Sequence, residues 1–454
     1  MKKIITVIYT LSFVIGAVSA QSVYDGVKIA DKDLNGTARF VGMGGAMGAL
    51  GGDITTMGTN PAGIGIYRSN DVMTSFSYSA YGMESKYEGQ KSTIDKNRWS
   101  FDNIGVVFAT KIGNQTPLRY VNFGFNYKRS KSFYKNMSMS GMMGVVENPS
   151  NPGSPYYVSQ TNSMALQATD AERYVWDNSR QHLDFDNANR IFSDPDAGWL
   201  GALGYQGGLT ERDRIDNEPD LYVPFLPVEP SSVFNSREKG GIDQYDFNVS
   251  FNINDRVYLG LTIGAYDVDY DKYSGYDESY KRGEGYSLES YNNISGSGFD
   301  VKMGLILRPF EYSPFRIGFA VHTPTFYKLT YSTSAIVTND YRDAKTDELK
   351  RIIVDTYDYV GDMKRDYRLV TPWKYNVSLG YTVGTSLALG AEYEYEDYST
   401  MKFKYSSNDG GGDMEFENAE VKNCLKGEHT FRIGAEYKLS LIHISEPTRR
   451  TPIS

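Results

Sequence analysis

The sequence predicts an all-β chain: an antiparallel transmembrane β-barrel with an N-terminal, Gly-rich helical plug in its lumen. Three observations carry the prediction. Residues 38–68 are dense in Gly, Ala and Met and nearly free of charge. The chain then alternates apolar with small or polar residues almost to its end. Its connections are also asymmetric, some tight and two very long.

Alternation by two fits any half-buried antiparallel sheet. The inner face decides between the alternatives. Val121, Phe123, Phe125 and Tyr127 alternate with Asn122, Gly124, Asn126 and Lys128. Phe247, Val249 and Phe251 alternate with Asn248, Ser250 and Asn252, and Phe431, Ile433 and Ala435 with Arg432, Gly434 and Glu436. An apolar exterior over a polar or small interior is the signature of a membrane barrel, and segments of about 9–11 residues suit a tilted spanning strand. A soluble sandwich would put its polar face outside. The 37 Tyr and 22 Phe fit side chains that sit at membrane–water interfaces.

Residues 1–20 read as a signal peptide, with Met1-Lys2-Lys3, an apolar run over 4–18 and the small pair Ser19-Ala20. The run is shorter than the roughly 20 residues of a spanning helix. No Cys follows the cleavage point, which argues against a lipid anchor, and Cys424 is the only cysteine. Residues 21–66 form the plug segment: a polar lead-in to Thr37, extended or loosely folded, then short helices in which Met43, Met47, Leu50, Ile54 and Met57 share a side. Asp53, Thr55 and Thr56 offer cap chemistry there. Gly42-Met43-Gly44-Gly45 is no dinucleotide fingerprint, because Met47 stands where the third glycine is needed.

The barrel spans 67–438. Asn254-Asp255, Glu311-Tyr312-Ser313-Pro314 and Val383-Gly384-Thr385 are tight turns, whereas 141–240 and 331–362 are long outer loops. Helices are expected over 164–176 and near 346–355. Gly105, Gly124, Gly304, Gly318, Gly380 and Gly434 fall near mid-strand and read as room for the plug or for curvature. The pattern breaks near Leu439. LSLIHISEPTR resembles a translated sequencing adapter, so 439–454 reads as a non-native tail.

Little points to catalysis. His182 lies in the long loop, His322 and His429 on strands and His443 in the tail, with no companion nucleophile motif. Asp267, Asp269 and Asp271 lack the glycine and distal Glu of a calcium loop. No cofactor or metal is expected. A net charge of −9 without a basic patch gives no support to nucleic-acid binding.

Residues 38–53, ARFVGMGGAMGALGGD, followed by TNPAGIG, resemble the N-terminal signature of the FadL/TodX family of outer-membrane transporters for long-chain fatty acids and other hydrophobic compounds. Thr371-Pro372-Trp373 and residues 427–439, GEHTFRIGAEYKL, are similar to later stretches of that family. The resemblance implies a barrel of about fourteen strands in the intact parent. Only about eleven are legible, so the barrel reads as incomplete. It further implies a monomer inserted by the barrel-assembly machinery among lipid and lipopolysaccharide in the outer membrane of a Gram-negative bacterium. Hydrophobic small molecules would be captured on outer loops, pass the plugged lumen and leave sideways. Asn60, Pro61 and Ala62 match the family's NPA, and with Gly63 they read as the rigid turn that seats the plug. Trp199, Leu200, Leu203 and Phe225 are the candidates for capture, with a packed loop core as the competing role. The alternative function is a structural or adhesive surface barrel with a sealed lumen, and a water-filled porin comes third.

Overall fold

The computed structural model describes residues 23–146, 156–194, 196–225, 230–384 and 386–438. The expected signal peptide and tail lie outside the described residues. In chain order the strands are β1 (Asp71–Tyr87), β2 (Gln90–Lys111), β3 (Leu118–Ser132), β4 (Lys135–Met142), the short β5 (Val145–Val146) and β6 (Tyr156–Tyr157), and β7 (Thr210–Asp213) with β8 (Leu221–Pro224). They continue as β9 (Ser231–Ile253), β10 (Val257–Ser279), β11 (Gly285–Leu307), β12 (Arg316–His322), β13 (Phe326–Arg342), β14 (Leu349–Asp355), β15 (Met363–Val370), β16 (Lys374–Val383), β17 (Leu387–Asp397), β18 (Lys402–Tyr405) and β19 (Gly427–Tyr437). Among the described residues no helix is long and apolar enough to cross a membrane, which says nothing of crossing by strands.

One antiparallel sheet forms the wall, in the order β1-β2-β3-β9-β10-β11-β12-β16-β17-β19. The alternation decides its two faces. Asn248, Ser250 and Asn252 are buried inside while Phe247 is exposed outside, and Asn376 and Ser378 point in while Tyr375, Val377 and Leu379 point out.

Every strand of that order touches residues 36–66. Ser75 on β1 donates to the Gly36 carbonyl, and Arg39 reaches Glu436 on β19 at 2.9 Å. A segment this short can meet ten successive strands only if the sheet curls around it. β1 and β19 are the sheet's two edges and are not paired with each other.

The mid-strand glycines mark the contact. A Cβ on Gly105 would lie 2.8 Å from Ile54 Cδ1. Added carbons on Gly124, Gly304, Gly390 and Gly434 would collide with Met57, Asn60, the Ala46 carbonyl and the Met43 carbonyl respectively. Inside the plug, Gly51 and Gly52 take positive φ, which lets the chain fold back on Gly63.

Two sequence expectations are corrected. Residues 23–30, read as extended or loosely folded, form a helix (Val23–Ala30), because Val23, Gly26, Ile29 and Ala30 share one face and that face has an apolar chamber to fill. The helix expected near 346–355 is instead strand β14, since the β-branched run Ile352-Ile353-Val354 pairs with β13. A helical turn starts only at Thr356, where Asp355 caps the Tyr357 amide.

The long loop is a folded body. Its helix Gln160–Ser179 covers the expected 164–176 and is capped by Ser159. It packs on the helix Trp199–Gln206, with Gly201 and Gly204 set against Ala168 and Met164. The loop core continues onto Tyr286, Val337 and Val354, where strands β11, β13 and β14 extend past the plugged end.

Gly390→Val is expected to cost about 1–3 kcal/mol by overpacking the plug against the wall. The readout is a lower temperature of heat-modifiable migration. Leu389→Val on the outward face of the same strand is the control and should change it far less.

Candidate functional site: the plugged lumen

The lumen is filled in three layers, beginning at the end that carries the tight turns. The first is the plug. Asn60 is fully buried, and its side chain accepts from the Ala62 amide at 3.2 Å and donates to the Gly48 carbonyl at 2.8 Å. Pro61 opens the short 3-10 helix Pro61–Ile66, where its missing N–H costs nothing. The Gly63 amide bonds the Asn60 carbonyl, and its own carbonyl accepts from Gly52, tying the two halves of the plug together. The expected seat at Asn60, Pro61, Ala62 and Gly63 is therefore one buried turn lying against β9, β10 and β11. Asp53 caps the Thr55 amide and accepts from the Thr37 hydroxyl at 2.6 Å.

Wall side chains hold this turn by its backbone. Asn248 and Ser250 donate to the Pro61 carbonyl at 3.3 and 2.8 Å. Asn122 donates to the carbonyls of Ile64 and Tyr67, and Arg316 to that of Leu50 at 2.6 Å. His322 Nε2 lies 2.7 Å from the Thr59 carbonyl, and Glu392 accepts from the Gly48 amide at 3.0 Å. A buried amide or carbonyl without a partner costs about 1–3 kcal/mol, so these contacts fix where the plug can sit.

The second layer is charged. Lys302 bridges Asp246 and Asp300 at 2.9 and 2.8 Å, all three fully buried, and the Tyr266 hydroxyl donates to Asp300. Arg432 on β19 pairs Glu392 and Glu394, and Lys374 pairs Glu394 and Glu396. A cavity of about 200 Å³ opens here, lined among others by Lys32, Lys128, His322, Lys374 and Glu394.

The third layer is apolar. The helix Val23–Ala30 buries Ile29 among Tyr270, Tyr327, Leu329, Tyr367 and Phe403. The approach is close, because a Cβ on Gly26 would sit 2.9 Å from Met401 Cε. Lys28 turns aside to the Tyr270 hydroxyl and Glu238.

Three adjacent wall strands break at one height. Thr323-Pro324-Thr325 separates β12 from β13, Thr371-Pro372-Trp373 separates β15 from β16, and a 3-10 turn at Tyr398–Thr400 precedes β18. Proline cannot donate to a ladder. Threonines bridge the break instead: the Thr371 amide bonds the Thr325 carbonyl at 3.1 Å, and the Thr325 amide bonds Thr371 Oγ1 at 2.8 Å. His322, Lys374 and Tyr398 join this break to the charged cavity.

The proposed capture residues separate. Trp199, Leu200 and Leu203 lie in the loop core, at most 5% exposed, with the Trp199 indole donating to the Phe192 carbonyl. They hold the loop together. Phe225 is half exposed and stacks obliquely near Tyr280. Elsewhere on the loop, Asp186 is held below the usual carboxylate range by the Tyr205 hydroxyl first and Arg212 next. That contact contributes stability at neutral pH and loses it as pH falls through the lowered value.

Sequence reasoning missed two features: the chamber around residues 23–30 and a trio of ligand-type side chains, Glu172, His182 and Asp220. An i, i+3 spacing of apolar residues was the available signal for the helix. The trio spans 49 positions and leaves no local signal.

No protein-family model and no curated protein sequence matches the chain. Among solved structures it is similar to the Ralstonia pickettii toluene transporter TbuX, at 12% identity and TM-score 0.36, over 90% of this chain and 84% of that one. The Pseudomonas putida toluene transporter TodX gives 11%, 0.36, 90% and 81%. A Pseudomonas aeruginosa FadL homologue gives 10%, 0.26, 90% and 99%.

Asn60→Ala is expected to leave the Gly48 carbonyl and the Ala62 amide unpaired and to loosen the plug by about 1–3 kcal/mol. Amide hydrogen exchange over residues 46–64 should accelerate, and single-channel recordings should show more frequent openings. Unchanged exchange at these amides would count against the seat.

Proposed function

We propose that this chain forms the wall and plug of an outer-membrane channel that takes up hydrophobic small molecules, long-chain fatty acids foremost. The observation that carries the reading is the apolar chamber beyond the charged layer. It is walled by Tyr270, Tyr327, Leu329, Tyr367 and Phe403, and the chain's own N-terminal helix fills it. An apolar ligand entering from the long-loop end would compete with Val23 and Ile29 for the same surface. Burial of apolar area, at about 25 cal/mol per Å², rewards either occupant.

The helix is continuous with the plug through residues 31–37. Its displacement would therefore pull on Thr37 and on the Asp53 cap that Thr37 bonds. Onward passage through the charged layer is unfavourable for an apolar chain. The threonine-bridged break beside that layer is the nearer exit, and it supports sideways release into the membrane. In this scheme Asn60, Pro61, Ala62 and Gly63 seat the plug. Phe225 belongs to the capture surface, and Trp199, Leu200 and Leu203 support it from behind.

The loop's own core favours a second reading, a surface barrel whose folded loop contacts other cells or matrix while the plug seals the pore. Mass spectrometry of apolar molecules that co-purify with the protein separates the two. Stoichiometric fatty acids or hydrocarbons, displaced when Ile29→Trp overfills the chamber, are the expected result. A ligand-free lumen, with glycan or protein binding confined to the loop, would move the assignment to the second reading.

A further inference from the structure

The long loop carries a cluster that the lumen does not use. Glu172 lies on the helix Gln160–Ser179, His182 just past its end, and Asp220 directly before β8. One ligand atom from each lies within 4.8 Å of the others. His182 Nδ1 stands 2.5 Å from Glu172 Oε1 and 3.7 Å from Asp220 Oδ2. Glu172 is fully buried, and its other oxygen accepts from the Leu183 amide at 2.9 Å.

Asp220 is the telling member. It is 5% exposed, yet among the described residues its carboxylate has no hydrogen bond. Its nearest cationic atoms, Arg212 Nε and His182 Nδ1, stand at 3.6 and 3.7 Å. A buried carboxylate is costly unless it is paired or coordinates a metal. A histidine–glutamate ion pair accounts for Glu172. Asp220 is left with two long ion pairs, one to Arg212 and one to the same ring nitrogen, which holds a single proton.

We propose that Glu172, His182 and Asp220 bind one divalent transition-metal cation of the Zn²⁺ type. One imidazole nitrogen and two carboxylates suit such an ion, whose bonds to N and O are about 2.0–2.2 Å long. Tetrahedral geometry then sets neighbouring ligand atoms about 3.3 Å apart. The observed separations of 2.5 and 3.7 Å straddle that value. The His182 side chain is 44% exposed, so its ring can turn to even them out, and its open side leaves the fourth position to water. Calcium and magnesium fit less well, since they take six or more ligands, nearly all oxygen. Arg212 lies beyond Asp220 and also bonds Asp186, so it can orient that carboxylate from behind.

A bound ion would tie together the long helix, the turn after it and the β7–β8 hairpin. Binding to the folded loop alone adds to its stability by mass action.

The test uses the full chain refolded in detergent. Zn²⁺ retention after dialysis is counted by elemental mass spectrometry, and Co²⁺ is added as a visible-absorbing probe. One Zn²⁺ per chain is expected, with a Co²⁺ ligand-field band. His182→Ala and the near-isosteric Asp220→Asn should each weaken binding by about tenfold or more, while heat-modifiable migration shows that the barrel is intact. Failure to retain Zn²⁺, or equal retention by both variants, would overturn the proposal. Neither result bears on ligand uptake through the lumen.

Discussion

Everything in this structure depends on one obligation: the plug's peptide groups are enclosed, and each must find a partner other than water. The plug is too short and too irregular to satisfy itself. The wall does it instead, with Asn122, Asn248, Ser250, Arg316, His322 and Glu392 reaching inward to plug carbonyls and amides. This explains the polar inner face. Elsewhere the wall gives way to glycine, and at Gly260, Gly390 and Gly434 the two backbones meet directly.

The layering of the lumen follows from the same enclosure. Lys302 between Asp246 and Asp300 is a buried ion triad with a further bond from Tyr266. Such a triad repays its desolvation only if each charge is satisfied, and removing one member strands the others. It makes a rigid, water-compatible floor. Above it, Tyr270 turns its ring to the chamber and its hydroxyl to Glu238 and Lys28. The chamber is thus apolar in its walls and charged at its base.

Much of this was legible in the sequence. The period-two alternation fixed which residues face in, because the pleat leaves no choice once one face is apolar. Gly105, Gly124, Gly304, Gly318, Gly380 and Gly434 were legible as room for the plug or for curvature, the two uses of glycine in mid-strand. Asn60-Pro61 was legible as a turn. Other features were set by distant partners. Val23 and Ile29 form a helix because a chamber waits for them. Residues 349–355 form a strand because β13 offers an edge. Trp199 and Leu200 are equally plausible on a surface or in a core, and only the fold of the loop put them inside. The aligned strand breaks become visible only when β12, β16 and β17 are laid side by side.

Because the wall grips the plug mainly by its peptide groups, with Arg39–Glu436 as a side-chain contact beside them, the instructions for the plug's path are written mainly in the wall. Asn248 and Ser250 recognise the Pro61 carbonyl, and Arg316 recognises that of Leu50. Neither carbonyl depends on which side chain its residue carries. The plug's own sequence is thereby free to change, with its volume kept, at positions other than Thr37, Arg39, Asp53 and Asn60, whose side chains make bonds of their own. A foreign plug tracing the same path could be read by this barrel, whereas the same plug moved into a wall lacking those donors would lose its address.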